Sequence, residues 1–323
     1  MSHAPTTRRT GLNRTVLLRP GAPWHGQRAG RVLGATGLSG AVAEAAAGAG
    51  VPVDDTPLAT LDRSLAAGED WAEAVAQAWT EAFAHLLRTL RAPTAADRAA
   101  RAEWDERDWS RWAAVRRTVV CGGVVAGELG ARAARDPRWV AHGAELSPDP
   151  ARASLLGLAA GLDDDGLVLD LGHSSIKAAT VWGGVLTPTR GAPVPWQPFE
   201  TVTWPSPEDV MGIVVEAARA ALGDVVGAPD DGPLEVRVAI ANYVIGGVLD
   251  EDDTYGTLRR LGPDPRDLLS RALTLGLDRP CTVSLLVNDG AAAAFGAHDP
   301  AQGQEPTAVI SVGTSLGLGF AGA

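Results

Sequence analysis

The clearest pattern in the chain is an amphipathic helix over residues 69–91, which Pro93 ends. Its apolar side chains recur three or four positions apart, as one buried helix face requires. They are Trp71, Val75, Ala78, Trp79, Ala82, Phe83, Leu86, Leu87 and Leu90. Further helices are predicted over 39–50, from Gly123 to about residue 135, and over 150–162. An acidic turn at 163–166 follows the last of these.

Short apolar strands dominate from residue 167 onward. The segments LVLDLG (167–172), IKAATVW (176–182) and VLTPTR (185–190) read as a meander with tight turns. Helices and strands then alternate, as helix 207–222, strand 234–241, helix 264–275, strand 282–287, helix 289–297 and strand 307–312. Together with a short strand at 118–121, this alternation indicates an α/β fold.

Composition narrows the function classes. The 323 residues carry a net charge of −11, so no broad basic face is expected and nucleic acid is not a predicted partner. No apolar run approaches the length of a membrane span, and no apolar run follows Arg8 and Arg9 as in a secretory signal. A cytoplasmic protein without membrane contact is therefore expected. Trp104, Trp109 and Trp112 suit packing better than a ligand platform.

Two glycine turns follow apolar strands and are candidate phosphate-binding sites. In the first, Asp170 ends a strand and Gly172 allows a sharp turn before Ser174 and Ser175, whose hydroxyl and backbone N–H groups can bind phosphate. Lys177 would add positive charge, or would simply point to solvent. A single such turn reads as an ordinary β-turn. A carboxylate at this place typically acts through a hydrated Mg²⁺.

The second turn is Gly313-Thr314-Ser315, which follows the strand at 307–312. It offers N–H donors and hydroxyls with little side-chain bulk. Two such hairpins in one chain favour phosphate binding over ordinary turns.

Two further segments complete the candidate chemistry. Asn288 and Asp289 lie where a strand meets an Ala-rich helix. They are either a plain N-cap or, for Asp289, a general base that accepts a proton from a substrate hydroxyl. Gly122 and Gly123 follow the strand at 118–121, where they would let a flat nucleobase approach the backbone.

Together these segments resemble the ROK family of sugar kinases and related regulators, within the actin, hexokinase and chaperone ATPase superfamily. The matching stretches are DLGHSSI (170–176) and GTSLGLG (313–319) for phosphate, NDGAAAA (288–294) for catalysis, VCGGVV (120–125) for adenine, and VAIANYVIGGVLDEDD (238–253) between them.

The order of the motifs differs from that of the family, in which the adenine motif comes last. Here it comes first, while 16–50 resembles the family segment located directly after the second phosphate motif and LLGLAAGL (155–162) resembles the family's closing helix. This order indicates a circular permutation; the rival is a truncated kinase joined to an unrelated domain at 1–165.

The resemblance implies a two-lobed, actin/hexokinase-like (ribonuclease-H-like) α/β fold with a central nucleotide cleft. The larger, nucleotide-binding lobe would comprise 1–150 plus 298–323. The smaller lobe would comprise 151–297 and hold the first phosphate motif and the catalytic aspartate.

The implied activity is ATP- and Mg²⁺-dependent phosphorylation of a hydroxyl on a sugar or sugar-like polyol. Asp289 would be the catalytic base, Asp170 would act on Mg²⁺ through water, and Asn288 and Asn242 would bind the substrate. The residues expected to contact the nucleotide are Gly172, Ser174, Ser175, Lys177, Gly313, Thr314, Ser315, Gly122 and Gly123, beside Asp170.

An alternative is a non-catalytic nucleotide- or sugar-sensing protein that keeps the kinase fold. His173, Ser315 and Leu318 replace family glycines, Ala291 replaces an asparagine, and the residues that usually hold a hexose are missing. The sequence leaves open which compound is phosphorylated and whether the protein forms a homodimer.

Overall fold

The structure, a computed structural model, describes residue 7 and the ranges 10–53, 56–162, 165–197, 200–223, 232–250, 254–297 and 305–322. From Arg9 onward the chain divides into two compact units. Unit 1 is Arg152–His298, and unit 2 is Arg9–Ala151 together with Asp299–Ala323. Residues 163–164 of the predicted acidic turn and 251–253 of the motif at 238–253 lie outside the described residues.

Helices and strands are numbered in chain order. The α-helices are α1 (Ala29–Leu33), α2 (Ala35–Gly48), α3 (Pro57–Ala67), α4 (Asp70–Arg91), α5 (Ala95–Ala99), α6 (Glu106–Ala114), α7 (Glu128–Ala133), α8 (Pro137–Ala141), α9 (Ala153–Ala159), α10 (Pro207–Leu222), α11 (Pro265–Leu277) and α12 (Asp289–Gly296). The β-strands are β1 (Arg117–Cys121), β2 (Ala144–Leu146), β3 (Gly166–Leu171), β4 (Ser175–Trp182), β5 (Val185–Leu186), β6 (Arg190–Pro193), β7 (Leu234–Ile240), β8 (Val244–Ile245), β9 (Val248–Leu249), β10 (Cys281–Asn288), β11 (Thr307–Val312) and β12 (Leu316–Ala321).

Unit 1 is built on a mixed sheet with strand order β10-β7-β3-β4-β5, in which β6 also pairs with β4. Strands β10, β7 and β3 are parallel to one another, and β4 returns antiparallel to β3. Leu167, Leu169 and Leu171 of β3 pack in the core that contains α10 and α11. Val168 packs on the other side, in the core that contains α9 and Ala292 of α12. Strand β3 is apolar along most of its length because helices cover both faces of the sheet.

Unit 2 has a sheet with strand order β12-β11-β1-β2. Strand β1 is parallel to β11 and to β2, whereas β12 is antiparallel to β11. The long helix α4 supplies much of the core, where Trp79, Phe83 and Trp139 form a cluster of aromatic rings. Strands β1 and β2 of this sheet therefore come from the N-terminal half of the chain, and β11 and β12 come from its C-terminal end.

The mixed α/β class predicted from the sequence is confirmed, and α4, α10 and β11 lie where their patterns indicated. Trp104, Trp109 and Trp112 are buried, as the packing interpretation requires. Some boundaries differ. The helix predicted over 150–162 shortens to α9, after a 3-10 turn at Pro150–Arg152.

Two other segments are divided in the structure. The helix predicted after Gly123 becomes a 3-10 turn followed by α7. The third strand of the meander is split into β5 and β6, with Pro188 between them. Proline cannot donate to a strand ladder, which accounts for the break. No helix among the described residues combines the length and apolarity needed to cross a membrane.

Candidate active site

The carboxyl ends of three neighbouring parallel strands lie at one edge of the unit 1 sheet. Leu171 of β3 is opposite Ile240 of β7, and Ile240 is in turn opposite Asn288 of β10. Loops that follow adjacent parallel strands meet at such an edge, which is the usual ligand position in open α/β sheets. The fold thus brings the predicted site residues Asp170, Asn242 and Asn288 to the same edge.

Asp170 is a buried carboxylate on the face of β3 that also carries Val168. Alternate side chains of a strand point to opposite faces, so Asp170 faces the side covered by α9 and α12. Burial raises the pKa of the Asp170 carboxyl above its ordinary value, and Lys177 opposes this shift. Lys177 is the cross-strand partner of Asp170, and its Nζ lies 3.9 Å from Asp170 Oδ2. Lys177 therefore lies beside the carboxylate instead of simply pointing to solvent.

The turn between β3 and β4 is tight at Gly172. The N–H of Gly172 donates to the carbonyl oxygen of Ser175 at 3.0 Å. A Cβ atom on Gly172 would lie 2.9 Å from that same oxygen, so the turn favours glycine. Ser174 is exposed and Ser175 is half-buried. Burial lowers the pKa of His173 to about 4, so its imidazole is uncharged at neutral pH.

A tyrosine outside the predicted motifs donates a hydrogen bond to the backbone of this turn. The hydroxyl of Tyr255 donates to the carbonyl oxygen of Gly172 at 2.7 Å. Tyr255 belongs to the 3-10 segment Thr254–Arg260 and is fully buried. Sequence reasoning missed it, and only its position shortly after the stretch that contains Asn242 could have drawn attention to it.

The two asparagines of the site are linked. Asn288 is the N-cap of α12, where its Oδ1 accepts from the N–H of Gly290 at 3.1 Å. Its Nδ2 donates to the backbone carbonyl of Asn242 at 3.1 Å. Asp289 is the first residue of α12 and is half-buried. The plain N-cap interpretation thus holds for Asn288, whereas Asp289 lies one position into the helix.

Helix α9 packs closely against the first part of α12. A Cβ atom on Gly157 of α9 would lie only 1.8 Å from the carbonyl oxygen of Ala292, so the backbones of the two helices are in contact. The hydroxyl of Ser154 also donates to the carbonyl of Asp289, at 3.5 Å. The Ala-rich sequence of α12 permits this close packing, because larger side chains would separate the helices. The packing thereby fixes Asn288 and Asp289 relative to the sheet.

In unit 2, Gly122 and Gly123 follow β1 beside the end of β11. Cys121 is opposite Ser311 in the parallel pairing of these strands. Gly122 has φ of 105°, and a Cβ atom on it would lie 2.4 Å from the carbonyl oxygen of Val312. Nothing lies within 4 Å of a Cβ atom built on Gly123. Gly122 is therefore required by the backbone, whereas Gly123 borders open space that a ligand can approach.

The turn between β11 and β12 is held by the N-terminal part of the chain. The N–H of Gly313 donates to the carbonyl of Ser315 at 3.0 Å, and its own carbonyl accepts from the N–H of Ala35 at 2.8 Å. Asn13 bonds both backbone groups of Leu316, since its Nδ2 donates at 3.0 Å and its Oδ1 accepts at 2.7 Å. Neither Asn13 nor Ala35 was predicted as a site residue, although Ala35 lies within 16–50, the stretch that resembles a family segment.

Thr314 lies in the middle of this turn and is half-buried. A Cβ atom on Gly34 would lie 2.5 Å from the carbonyl oxygen of Thr314. The start of α2 thus packs directly against the turn, and the backbone positions of Gly313, Thr314 and Ser315 are set by residues distant in sequence.

The acidic groups fit one kind of metal site. Among the described residues, no group of three or more His, Cys, Asp or Glu side chains is arranged to hold a metal ion. Asp170 is the buried carboxylate among the candidate site residues. Mg²⁺ keeps several waters and binds through one or two carboxylates together with substrate phosphates. The donor set therefore fits a Mg²⁺ that arrives with a nucleotide better than a metal that the protein holds alone.

Comparisons with known proteins identify similar solved structures. A ROK family glucokinase from Streptomyces griseus, in complex with glucose and AMPPNP, is 22% identical; the alignment covers 49% of this chain and 44% of the glucokinase, with a TM-score of 0.32. A ROK hexokinase from Thermus thermophilus is 25% identical; the alignment covers 48% of this chain and 46% of the hexokinase, with a TM-score of 0.30.

The chain thus spans less than half the length of each of these kinases. No protein-family model and no curated protein sequence matches it. With TM-scores this low, the roles of individual residues are assigned from the geometry of this chain alone.

Proposed function

We propose that the protein uses Mg·ATP to phosphorylate a hydroxyl group of a sugar or sugar-like polyol. The observation that carries this proposal is the grouping of Asp170, Asn242 and Asn288, with Asp289 next to it, at the carboxyl ends of β3, β7 and β10. This edge combines a carboxylate for a metal nucleotide with amides and a second carboxylate for a hydroxyl substrate.

Asp289 is assigned as the general base that accepts the proton of the attacking hydroxyl. Asn288 and Asn242 are assigned to hydrogen bonds with the other hydroxyls of the substrate. In phosphoryl transfer the protein contributes mainly by positioning the reactants and stabilising charge. The hydrogen bond from the Asn288 side chain to the backbone carbonyl of Asn242 supports this assignment, because it keeps the two residues next to each other at the strand ends.

The nucleotide contacts are assigned to the glycine turns. Backbone N–H groups and hydroxyls of 172–175 and 313–315 would bind phosphate oxygens, with Lys177 adding charge. Gly122 and Gly123 would flank the adenine. Asp170 would hold Mg²⁺ through water, and the bound ion would neutralise phosphate charge.

We also propose that the chain order is circularly permuted relative to the family. In unit 1 the antiparallel hairpin β3–β4 precedes the parallel strands β7 and β10. In unit 2 the parallel strands β1 and β2 come first and the antiparallel hairpin β11–β12 comes last. Both sheets thus combine two parallel strands with an antiparallel hairpin, but the hairpin comes first along the chain in unit 1 and last in unit 2. A circular permutation would account for this difference.

A relinked chain tests the permutation. It would begin at residue 166, continue through residue 322 and a flexible linker to residue 10, and end at residue 162. We expect it to fold with the same circular dichroism spectrum and one comparable unfolding transition. A relinked chain without cooperative unfolding would contradict the rotation.

The activity is tested by ATP consumption in a screen of hexoses, pentoses and cyclitols. Wild-type protein should turn over at least one of them, and Asp289→Asn should reduce turnover by about 10²–10⁴-fold, the usual contribution of a general base. AMPPNP affinity, measured by calorimetry, should stay unchanged in this variant. Full turnover by Asp289→Asn would disprove the role of Asp289.

The same screen separates the kinase from a sensing protein. The sensing function is favoured by His173 in the first glycine turn and by Ser315 in the second. Absence of turnover with every compound, together with a thermal shift induced by a sugar or nucleotide, would support sensing and overturn the kinase proposal.

A further inference from the structure

The backbone of the segment Thr254–Arg260 is strained at its first residue. Thr254 has φ of 38°, a value that a β-branched residue adopts only under constraint. The side chain of Thr254 is fully buried, and the hydroxyl of Thr257 donates to its carbonyl at 2.8 Å. Backbone strain of this kind persists where the surrounding structure requires one conformation.

The residue after the strained threonine is Tyr255, whose ring is fixed on one side. The ring packs edge-to-face on buried Trp196, with centroids 5.9 Å apart and an interplanar angle of 86°. Burial, and to a lesser extent Asp170, raises the pKa of the Tyr255 phenol, so the phenol stays protonated and remains a donor. Its hydroxyl reaches the carbonyl of Gly172 at 2.7 Å.

This hydrogen bond determines the orientation of one peptide group in the turn. The peptide bond between Gly172 and His173 is planar and trans, so its C=O and N–H point in opposite directions. With the carbonyl held by Tyr255, the N–H of His173 is directed away from Tyr255. The N–H of Gly172 is committed to Ser175 inside the turn.

We infer that Tyr255 is a positioning residue for nucleotide phosphate, acting through the Gly172–His173 peptide, whose orientation it fixes within the turn at 172–175 that is assigned to phosphate. The inference rests on the proposed function and adds a residue to it. Without the phenol, Gly172 can rotate its peptide freely, because glycine has few conformational restrictions. A donor that must be oriented at each binding event contributes less affinity than one already in place.

The experiment compares Tyr255→Phe with wild-type protein. Phenylalanine keeps the buried ring against Trp196 and removes only the hydroxyl. We expect the KM for ATP to rise about tenfold, which corresponds to the upper range of the net contribution of one hydrogen bond. The KM for the hydroxyl substrate should not change. ADP affinity, measured by calorimetry, should fall by a similar factor, whereas adenosine affinity should stay the same because adenosine has no phosphate.

A matched control removes a buried hydroxyl from the other end of the same hairpin. Thr180 of β4 is buried, and its Oγ1 lies 3.0 Å from Oγ1 of Thr187. Thr180→Val should lower the unfolding midpoint without changing the KM for ATP or the ADP affinity. This control separates a general loss of stability from an effect on phosphate.

The outcomes distinguish the inference from the function on which it rests. Wild-type protein that binds no ATP or ADP would overturn both. Wild-type protein that binds nucleotide, with Tyr255→Phe binding ADP equally well, would overturn the role of Tyr255 alone. Equal weakening of ADP and adenosine in Tyr255→Phe would also overturn it, since a structural disturbance would not discriminate between them.

Discussion

The side-chain amide of Asn288 donates to the backbone carbonyl of Asn242, and the two residues thereby join the ends of β10 and β7. The other end of the same amide caps α12 through the N–H of Gly290. One buried side chain thus fixes a strand end, a loop and a helix start in unit 1. Its loss should affect both stability and substrate binding.

For Asn288→Ala we expect the free energy of unfolding to fall by about 2 kcal/mol, from the lost helix cap and the lost hydrogen bond to Asn242. The KM for the hydroxyl substrate should rise. Ser206→Ala is the control, because the exposed Ser206 caps the start of α10, a helix that contains no candidate site residue. It should cost about 1 kcal/mol and leave the KM unchanged. Equal effects of the two variants in urea unfolding and in kinetics would contradict a special role of Asn288.

Replacing Asp170 by asparagine should stabilise the protein at neutral pH while abolishing Mg·ATP-dependent turnover. Burial raises the pKa of Asp170 above the ordinary value of 3.8, so the folded state binds the proton more tightly than the unfolded chain does. Between the pKa of the unfolded chain and the higher pKa of the folded protein, stability therefore falls as the pH rises. Above both values the ionised carboxylate opposes folding. The gain from Asp170→Asn should disappear well below pH 3.8.

Thermal unfolding measured across pH tests this effect. Asp264→Asn serves as the opposite case, since Arg266 holds the pKa of the Asp264 carboxyl below its ordinary value. This control should not stabilise the protein at neutral pH. A lower unfolding midpoint for Asp170→Asn at neutral pH would contradict the expected gain.

Two half-buried histidines should make the protein less stable in mild acid. Burial lowers the pKa of both His85 and His173 from 6.5 to about 4. Between these values the unfolded chain binds more protons, so stability is highest above the window and falls as the pH drops through it. Midway, unfolding should take up close to one proton for each histidine.

The measurement is the urea midpoint at several pH values across this window. His85→Gln and His173→Gln should each flatten its pH dependence. An unchanged slope in both of these variants would show that neither histidine has a lowered pKa in the folded protein.

Adjacent glycines should respond differently to the same substitution. Gly122→Ala places a Cβ atom 2.4 Å from the carbonyl of Val312, at a φ of 105°. We expect a loss of about 2–3 kcal/mol or more, since this backbone region is nearly exclusive to glycine. Gly123→Ala meets no atom within 4 Å, so its stability should change by less than about 0.5 kcal/mol.

The proposed function predicts that Gly123→Ala changes the KM for ATP although it leaves the protein stable. The added methyl would occupy the space assigned to adenine, so the KM for ATP should rise while the unfolding midpoint stays the same. A variant with unchanged KM would remove Gly123 from the nucleotide contacts.

Much of the fold and part of the site could be predicted from local sequence. Helix α4 was predictable because one apolar face must be buried in any fold, and its spacing is long and regular. The grouping of Asp170 with Asn288 was predictable in outline, because each residue comes at the end of an apolar strand. The split between β5 and β6 was not anticipated, although Pro188 was its visible cause.

The groups that hold the turns could not be predicted from local pattern. Tyr255 bonds Gly172 across 83 positions of sequence, and Asn13 bonds Leu316 across 303. Neither residue belongs to a periodic face or a motif, and each acts through polar contacts with one distant residue. Only the three-dimensional arrangement identifies such partners.

The unit 2 sheet combines strands from distant parts of the chain, which affects how the protein folds during translation. Strand β1 pairs with β11, so Arg117 has no strand partner on that side until Thr307 has been made. The strands of the unit 1 sheet, β3 to β10, lie in one continuous stretch of the chain, so this sheet can be completed on the ribosome while unit 2 still lacks its last two strands. Until then β1 has an unpaired edge, which is prone to association with other chains. We therefore expect nascent chains arrested before Thr307 to depend on chaperones through unit 2 and not through unit 1.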